Sequence, residues 1–221
     1  MKVIVTGATG LIGGATLRRL LALPRITSVI ALSRRDIGIT DPKLDTVILK
    51  DFHHYPDDVL ARLSGAEACI WALGRPTDGG DVHDALTFAG ADAFAASLLP
   101  RLKEQGKKFR FMYVSGHLVE PDQDANLWWL GATRKLRGVV EHKIIDYEKT
   151  YSPSWETFVA RPAAVTVGKP IYSPLLLGLW IPVEELAAAL ADVVVNGKTG
   201  DPRLANADLR ARGQEALAKA S

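Results

Sequence analysis

Hydrophobic and polar positions along the chain alternate between two rhythms. Short, nearly continuous apolar or β-branched runs occur at residues 3–6, 28–32, 46–49, 68–73, 109–114 and 157–160. Runs of this length with little polar alternation are expected of parallel strands covered on both faces. Between most of them the apolar residues recur at helical spacing, over residues 11–23, 56–63, 81–105 and 127–148. Pro56 suits the first turn of the second of these helices. Strand followed by helix, repeated, predicts an α/β fold: a doubly wound parallel sheet of Rossmann type, as a single domain over residues 1–221.

The rhythm changes after Arg161. Prolines at 162, 170, 174 and 182 make residues 162–182 read as a small irregular lobe on the substrate side of the domain. VEELAAALADVVVN, residues 183–196, then has a strong helical pattern with Gly197 as its terminator. A charged, alanine-rich helix follows, its last residues expected to fray.

Composition narrows the function classes. A hydrophobic content of 48% and a charged content of 24% are those of an ordinary globular chain. A net charge of +2 is too small for a nucleic-acid surface. The single cysteine, Cys69 in AEACIWAL, excludes an intramolecular disulfide and a cysteine-based metal site, and reads as a small core residue. His53, His54 and His83 read as loop or surface residues, so no metal is expected. No apolar run reaches the ~18 residues of a membrane span, and the first apolar stretch is too short for a signal peptide. The expectation is a cytoplasmic protein with no membrane partner.

Candidate chemistry begins with KVIVTGATGLIGG, where Gly7, Gly10 and Gly13 follow a strand and open a helix. Glycine takes a positive φ in such a turn, and without a Cβ it lets a pyrophosphate approach the backbone. The helix N-terminus adds free N–H groups and partial positive charge. Gly7, Thr9, Gly10, Leu11, Ile12 and Gly13 are therefore the candidate dinucleotide loop. The end of the second strand selects the cofactor. There ALSRRD places Ser33, Arg34 and Arg35 where a carboxylate would hold a ribose 2′-hydroxyl. A hydroxyl and a guanidinium favour a 2′-phosphate instead, and so NADP(H). The competing reading is a solvated loop, and Asp36 is close enough to admit NAD. Asp51, after the third strand, is placed either to accept a hydrogen bond from the adenine amino group or to cap a turn. Ala72, Leu73 and Gly74, after the fourth, would lie along the adenosine ribose and pyrophosphate.

With TGATGLIG, SRRD, the Asp51 turn, ALG and ARP in this order, the chain resembles the short-chain dehydrogenase/reductase superfamily. More narrowly it resembles the atypical NAD(P)H-binding proteins related to nucleoside-diphosphate-sugar epimerases. The resemblance implies a serine or threonine at the end of the fifth strand and Tyr-x-x-x-Lys on the next helix. Ser115, in FMYVSGHLVE, matches the serine. The best register on the helix puts Thr133 and Arg137 in the tyrosine and lysine positions. Threonine cannot do a phenol's acid work, and arginine keeps the charge without being lysine's equivalent. Arg137 still suits a ribose hydroxyl. Tyr147 and Tyr151 come too late on the helix and are expected to pack or cap.

His117 is the nearby side chain that exchanges protons near neutral pH. It replaces the missing tyrosine if it faces the nicotinamide, and is otherwise an exposed loop residue. Trp128 and Trp129 read either as core or helix-packing residues or as the wall of a pocket for an apolar or aromatic substrate. Arg161, Pro162 and Ala163 correspond to the family segment that runs beside the nicotinamide. Two functions stay open: an NADP(H)-dependent oxidoreductase on a small carbonyl or quinone, with Ser115, His117, Thr133 and Arg137 as its catalytic candidates, or a non-catalytic NADP(H)-dependent redox sensor that regulates a protein partner. Either is expected as a monomer or homodimer.

Overall fold

The computed structural model describes residues 1–74, 89–106, 108–170, 178–198 and 200–219. Arg75 and Pro76, His83, the first part of the helix expected over 81–105, and residues 171–177 lie outside the described residues. In chain order the elements are β1 Lys2–Thr6, α1 Leu11–Ala22, β2 Ser28–Ser33, β3 Leu44–Ile48, α2 Asp57–Leu63, β4 Ala68–Trp71, α3 Gly90–Gln105, β5 Phe109–Val114, α4 Gly131–Thr150, β6 Trp155–Ala160, β7 Ala164–Thr166, β8 Trp180–Pro182, α5 Val183–Asn196, β9 Arg203–Leu204 and α6 Asn206–Ala218.

Seven strands form one parallel sheet in the order β3-β2-β1-β4-β5-β6-β9. The order reverses beside β1, between β1 and β4. Ligands of open α/β sheets bind at such a reversal, outside the carboxyl ends of the strands. Side chains alternate between the two faces of each strand, so each face has its own core. One face collects aromatic rings: Trp71, Phe94, Phe109, Phe111 and Trp155 pack with neighbouring centroids 5.1 to 6.2 Å apart, against α3 and α4. The other is aliphatic, with Val3, Val5, Ile70 and Met112 packed on Leu17 and Leu20 of α1 and Leu186 and Leu190 of α5. Cys69 is fully buried on β4, and burial pushes its thiol well up from its ordinary value.

The doubly wound α/β sheet read from the hydrophobic rhythm is the architecture found. Two boundaries moved. The helix expected from residue 127 starts at Gly131, because Leu130 sits in the left-handed region at φ 50 and ψ 30 and breaks the helical path. Residues 162–182 contain two three-residue strands, β7 and β8, paired in parallel with Ala164 opposite Trp180. Strands that short leave no periodic signature, and β9, with two residues, was invisible for the same reason.

Candidate functional site

The strand ends open into a cavity of about 750 Å³. It follows the sheet order. Gly10 to Gly13 lie at the β1 end, Ala72 to Gly74 at the β4 end, Ser115 and His117 at the β5 end, and Pro162 and Ala163 at the β6 end. Thr133 and Arg137 reach it from α4.

The β1 end is shaped by backbone. Gly7 has φ +71, and a Cβ there would run into the Ala72 carbonyl. A Cβ on Gly13 would run into the Gly7 carbonyl. Gly10 donates its N–H to Gly7 O at 2.9 Å and caps α1 with no side-chain bond and no acid in the first turn. A Cβ on Gly10 would meet only Gly7 O, at 3.3 Å, so its outer side faces open space. Thr6 Oγ1 accepts a hydrogen bond from Ala72 N at 3.0 Å and fixes the β4 turn against the loop. This is a cradle of the kind a pyrophosphate fills. Thr9 is exposed beside it.

Next along the sheet edge, Ser33 is buried at the end of β2, its Oγ 3.4 Å from the N–H of Arg35. Arg34 and Arg35 are exposed and carry no ion pair among the described residues. Asp36 accepts the Gly38 N–H at 3.1 Å. Asp51 accepts the His53 N–H at 2.9 Å and meets its ring Nδ1 at 2.8 Å. The backbone donor first, and then the ring, hold the Asp51 carboxyl below its ordinary value. Ser33, Arg34, Arg35 and Asp51 do not line the cavity but flank its β2–β3 side.

The β5–β6 end is shaped by side chains. The Ser115 hydroxyl is buried with no hydrogen-bond partner, an orphaned donor at the cavity wall. Such groups normally find a partner, and Ser115 presents this one beside the cavity. His117 is exposed, lines the cavity, and donates its backbone N–H to Pro162 O at 2.8 Å. Arg137 has no ion pair among the described residues, and its Nη1 would lie 3.0 Å from a Cβ on Gly116. Arg161 does not line the cavity. Its guanidinium grips Glu141, which is 1% exposed, with Nε 2.9 and 3.1 Å from the two carboxylate oxygens. That pair ties β6 to α4, while Pro162 and Ala163 form the wall.

Sequence reasoning missed several residues here. Asn206 is buried and clamps three backbone groups. It accepts the Ala163 N–H at 2.9 Å and donates to Gly178 O at 2.9 Å and Trp180 O at 3.1 Å. At a helix start it reads only as a cap. Gly138 admits the loop from β5, since a Cβ would collide with Glu120 O. Tyr113 of β5 lines the cavity; burial pushes its hydroxyl well up, Arg137 pulls it partly back, and Glu141 adds upward. Its strand position, two residues before Ser115, was the available signal. The tryptophans separate: Trp129 lines the cavity, whereas Trp128 is 96% exposed and belongs to no core.

Among the described residues no group of three histidine, cysteine or carboxylate side chains gathers, and no helix is long and apolar enough to cross a membrane.

No family model matches the chain. Over 123 residues it is 33% identical to the leucinostatins biosynthesis cluster protein T of Purpureocillium lilacinum. That match spans 52% of this chain and 42% of the relative, so the chain spans less than half of the relative's length. Among solved structures, uronate dehydrogenase from Agrobacterium tumefaciens superposes with a TM-score of 0.68 at 18% identity, over 93% of this chain and 76% of that one. Gre2 from Candida albicans, solved in complex with NADPH, gives 0.65 at 17% identity, over 93% and 77%. A short-chain dehydrogenase/reductase from Saccharomyces cerevisiae gives 0.66 at 15% identity, over 93% and 95%. The chain has the fold of these dehydrogenase and reductase structures, the fold that its TGATGLIG loop implied.

Proposed function

We propose that the chain is an NADP(H)-dependent oxidoreductase acting on a small carbonyl compound or quinone. The observation that carries this reading is the single cavity wall shared by the glycine cradle and the partnerless Ser115 hydroxyl. In this reading Gly7 to Gly13 hold the pyrophosphate, and Ser33, Arg34 and Arg35 hold a 2′-phosphate. Asp51 lies by the adenine, Arg137 by the nicotinamide ribose, and Pro162 and Ala163 wall the ring. The bound dinucleotide supplies or accepts the hydride. Ser115 donates its hydroxyl hydrogen bond to the substrate oxygen, and the proton reaches that oxygen from His117 or from water at the open side. Two structures of the same fold support this reading: Gre2 was solved in complex with NADPH, and uronate dehydrogenase is a redox enzyme.

A second reading, a nucleotide-dependent sensor without turnover, is favoured by Thr133, which lines the cavity in the position where the resemblance calls for a phenol. Two measurements decide. NADPH should bind at least about tenfold more tightly than NADH, with R34A and R35A removing that preference; equal binding removes the NADP(H) assignment. Turnover is then followed through the near-ultraviolet absorbance of the reduced nicotinamide across carbonyls and quinones. The oxidoreductase reading expects turnover that falls about 10- to 100-fold in S115A, with unchanged stability because the hydroxyl has no partner to lose. Tight NADPH binding with no turnover on any acceptor selects the sensor.

A further inference from the structure

The half of the cavity above β5 and β6 carries an apolar rim and a fixed guanidinium. Leu118, Trp129, Leu130 and Leu179 all line the cavity and are each half-exposed. Apolar side chains grouped this way around an opening mark a surface that an apolar ligand covers. Leu130 also sits in the left-handed region at φ 50. For a bulky residue that is a strained position, and such strain gathers at ligand sites.

Arg134 stands among these groups. Its Nε donates to Leu118 O at 2.9 Å, and its own carbonyl accepts the Glu120 N–H at 3.0 Å. The guanidinium is thereby held in place while both Nη atoms have no partner among the described residues. Six other arginines are paired with carboxylates: Arg62 with Asp45, Arg110 with Glu156, Arg161 with Glu141, Arg203 with Asp201, Arg210 with Glu185 and Arg212 with Asp192. Arg134 has no such match, and among the described residues lining the cavity there is no carboxylate. A guanidinium with two free Nη donors fits a carboxylate bidentately, and an apolar surround strengthens that contact.

We propose that this half of the cavity takes an apolar carbonyl substrate that also carries a carboxylate. Arg134 holds the acid, and Trp129, Leu130 and Leu179 cover the body. The proposal rests on the reading that the dinucleotide occupies the glycine-loop half. A sugar acid fits poorly, because its ring hydroxyls would face the leucines and Trp129. Arg137 lies deeper, against Gly116, and is left to the ribose.

The test titrates the full chain, with and without saturating NADPH, with 1-naphthoate, the uncharged isostere 1-naphthamide, and glucuronate, read by calorimetry and tryptophan quenching. The expected result is naphthoate binding at least about tenfold tighter than either comparator. R134Q should erase the preference over the amide, R134K should keep part of it, and neither should move the NADPH affinity. Amide binding as tight as naphthoate, glucuronate binding tighter than naphthoate, or an R134Q protein that keeps the preference overturns the proposal. The NADPH titration of the same samples stands apart. Its failure removes the oxidoreductase reading, while failed acid selectivity in a chain that binds NADPH removes only the substrate class.

Discussion

At the β1 end of the cavity, shape comes from backbone within a stretch of seven residues, Gly7 to Gly13, and from one contact with the Ala72 turn. At the β5–β6 end, shape comes from side chains supplied by distant parts of the chain. Asn206 holds Ala163 from 43 residues away, Gly138 makes room for Glu120, and Arg134 is fixed by Leu118. A dinucleotide's phosphates ask for N–H groups and a close approach, which glycines at fixed spacing deliver. A substrate oxygen asks for individual donors at set points, which only tertiary packing delivers.

The sharpest way to break this comparison is at the glycines. Gly13→Ala forces a methyl into the Gly7 carbonyl, where neither backbone segment can yield without displacing α1 from the sheet. The expected loss is about 3 kcal/mol of stability, seen as a lower denaturant midpoint. Gly10→Ala should do the opposite. With only Gly7 O near its new methyl, at 3.3 Å, it should cost under about 1 kcal/mol yet weaken NADPH binding at least about tenfold by occupying the approach of the pyrophosphate. Equal stabilities for the two variants would mean that the loop is not shaped by backbone contact.

At the other end the matching substitution is Asn206→Ala. It strands the Ala163 N–H and the carbonyls of Gly178 and Trp180, the last in a buried setting and the other two in a partly buried one. Each stranded group costs on the order of 1 kcal/mol, giving about 2 to 3 kcal/mol in total. Because the contact lies at β6 and β8, the NADPH affinity should fall by less than about threefold. A drop as large as in Gly10→Ala would show that the two ends act as one unit.

The same asymmetry decides how much the sequence disclosed. The sheet was legible because fully covered parallel strands are written as apolar runs, and the glycine loop because its constraint is local. Ser115, Thr133 and Arg137 were placed at the cavity by register against the resembling family. His117 was left between two roles, and the structure puts it on the cavity wall but also in solvent. Arg161 was legible as a position and not as a partner. Glu141, which engages it, lies 20 residues earlier on α4, and nothing local in either segment announces the pair. Trp128 and Trp129 are adjacent in sequence, yet one is exposed and the other lines the cavity; they precede the helix and carry no periodic pattern that would tell them apart.

Tyr113 offers the finest test, because it puts a titratable group under the side-chain-built end, while Gly7 to Gly13 carry none. Burial raises its hydroxyl above the ordinary tyrosine value, as it does for Tyr55 and Tyr147. The unfolded chain releases these protons near pH ~10, whereas the native state keeps them. Above that pH the unfolded state binds fewer protons than the native one, so stability falls as pH rises; below it the contribution is fully present. Tyr113→Phe removes one of the three groups. Its stability at neutral pH should change by less than about 1 kcal/mol, and its alkaline decline should be shallower by at most about 1.4 kcal/mol per pH unit. Denaturant midpoints measured from neutral pH to beyond the tyrosine range read this difference. An alkaline slope identical to that of the parent chain would mean that the Tyr113 hydroxyl titrates freely through the cavity, and that the β5–β6 end is wetter than its burial indicates.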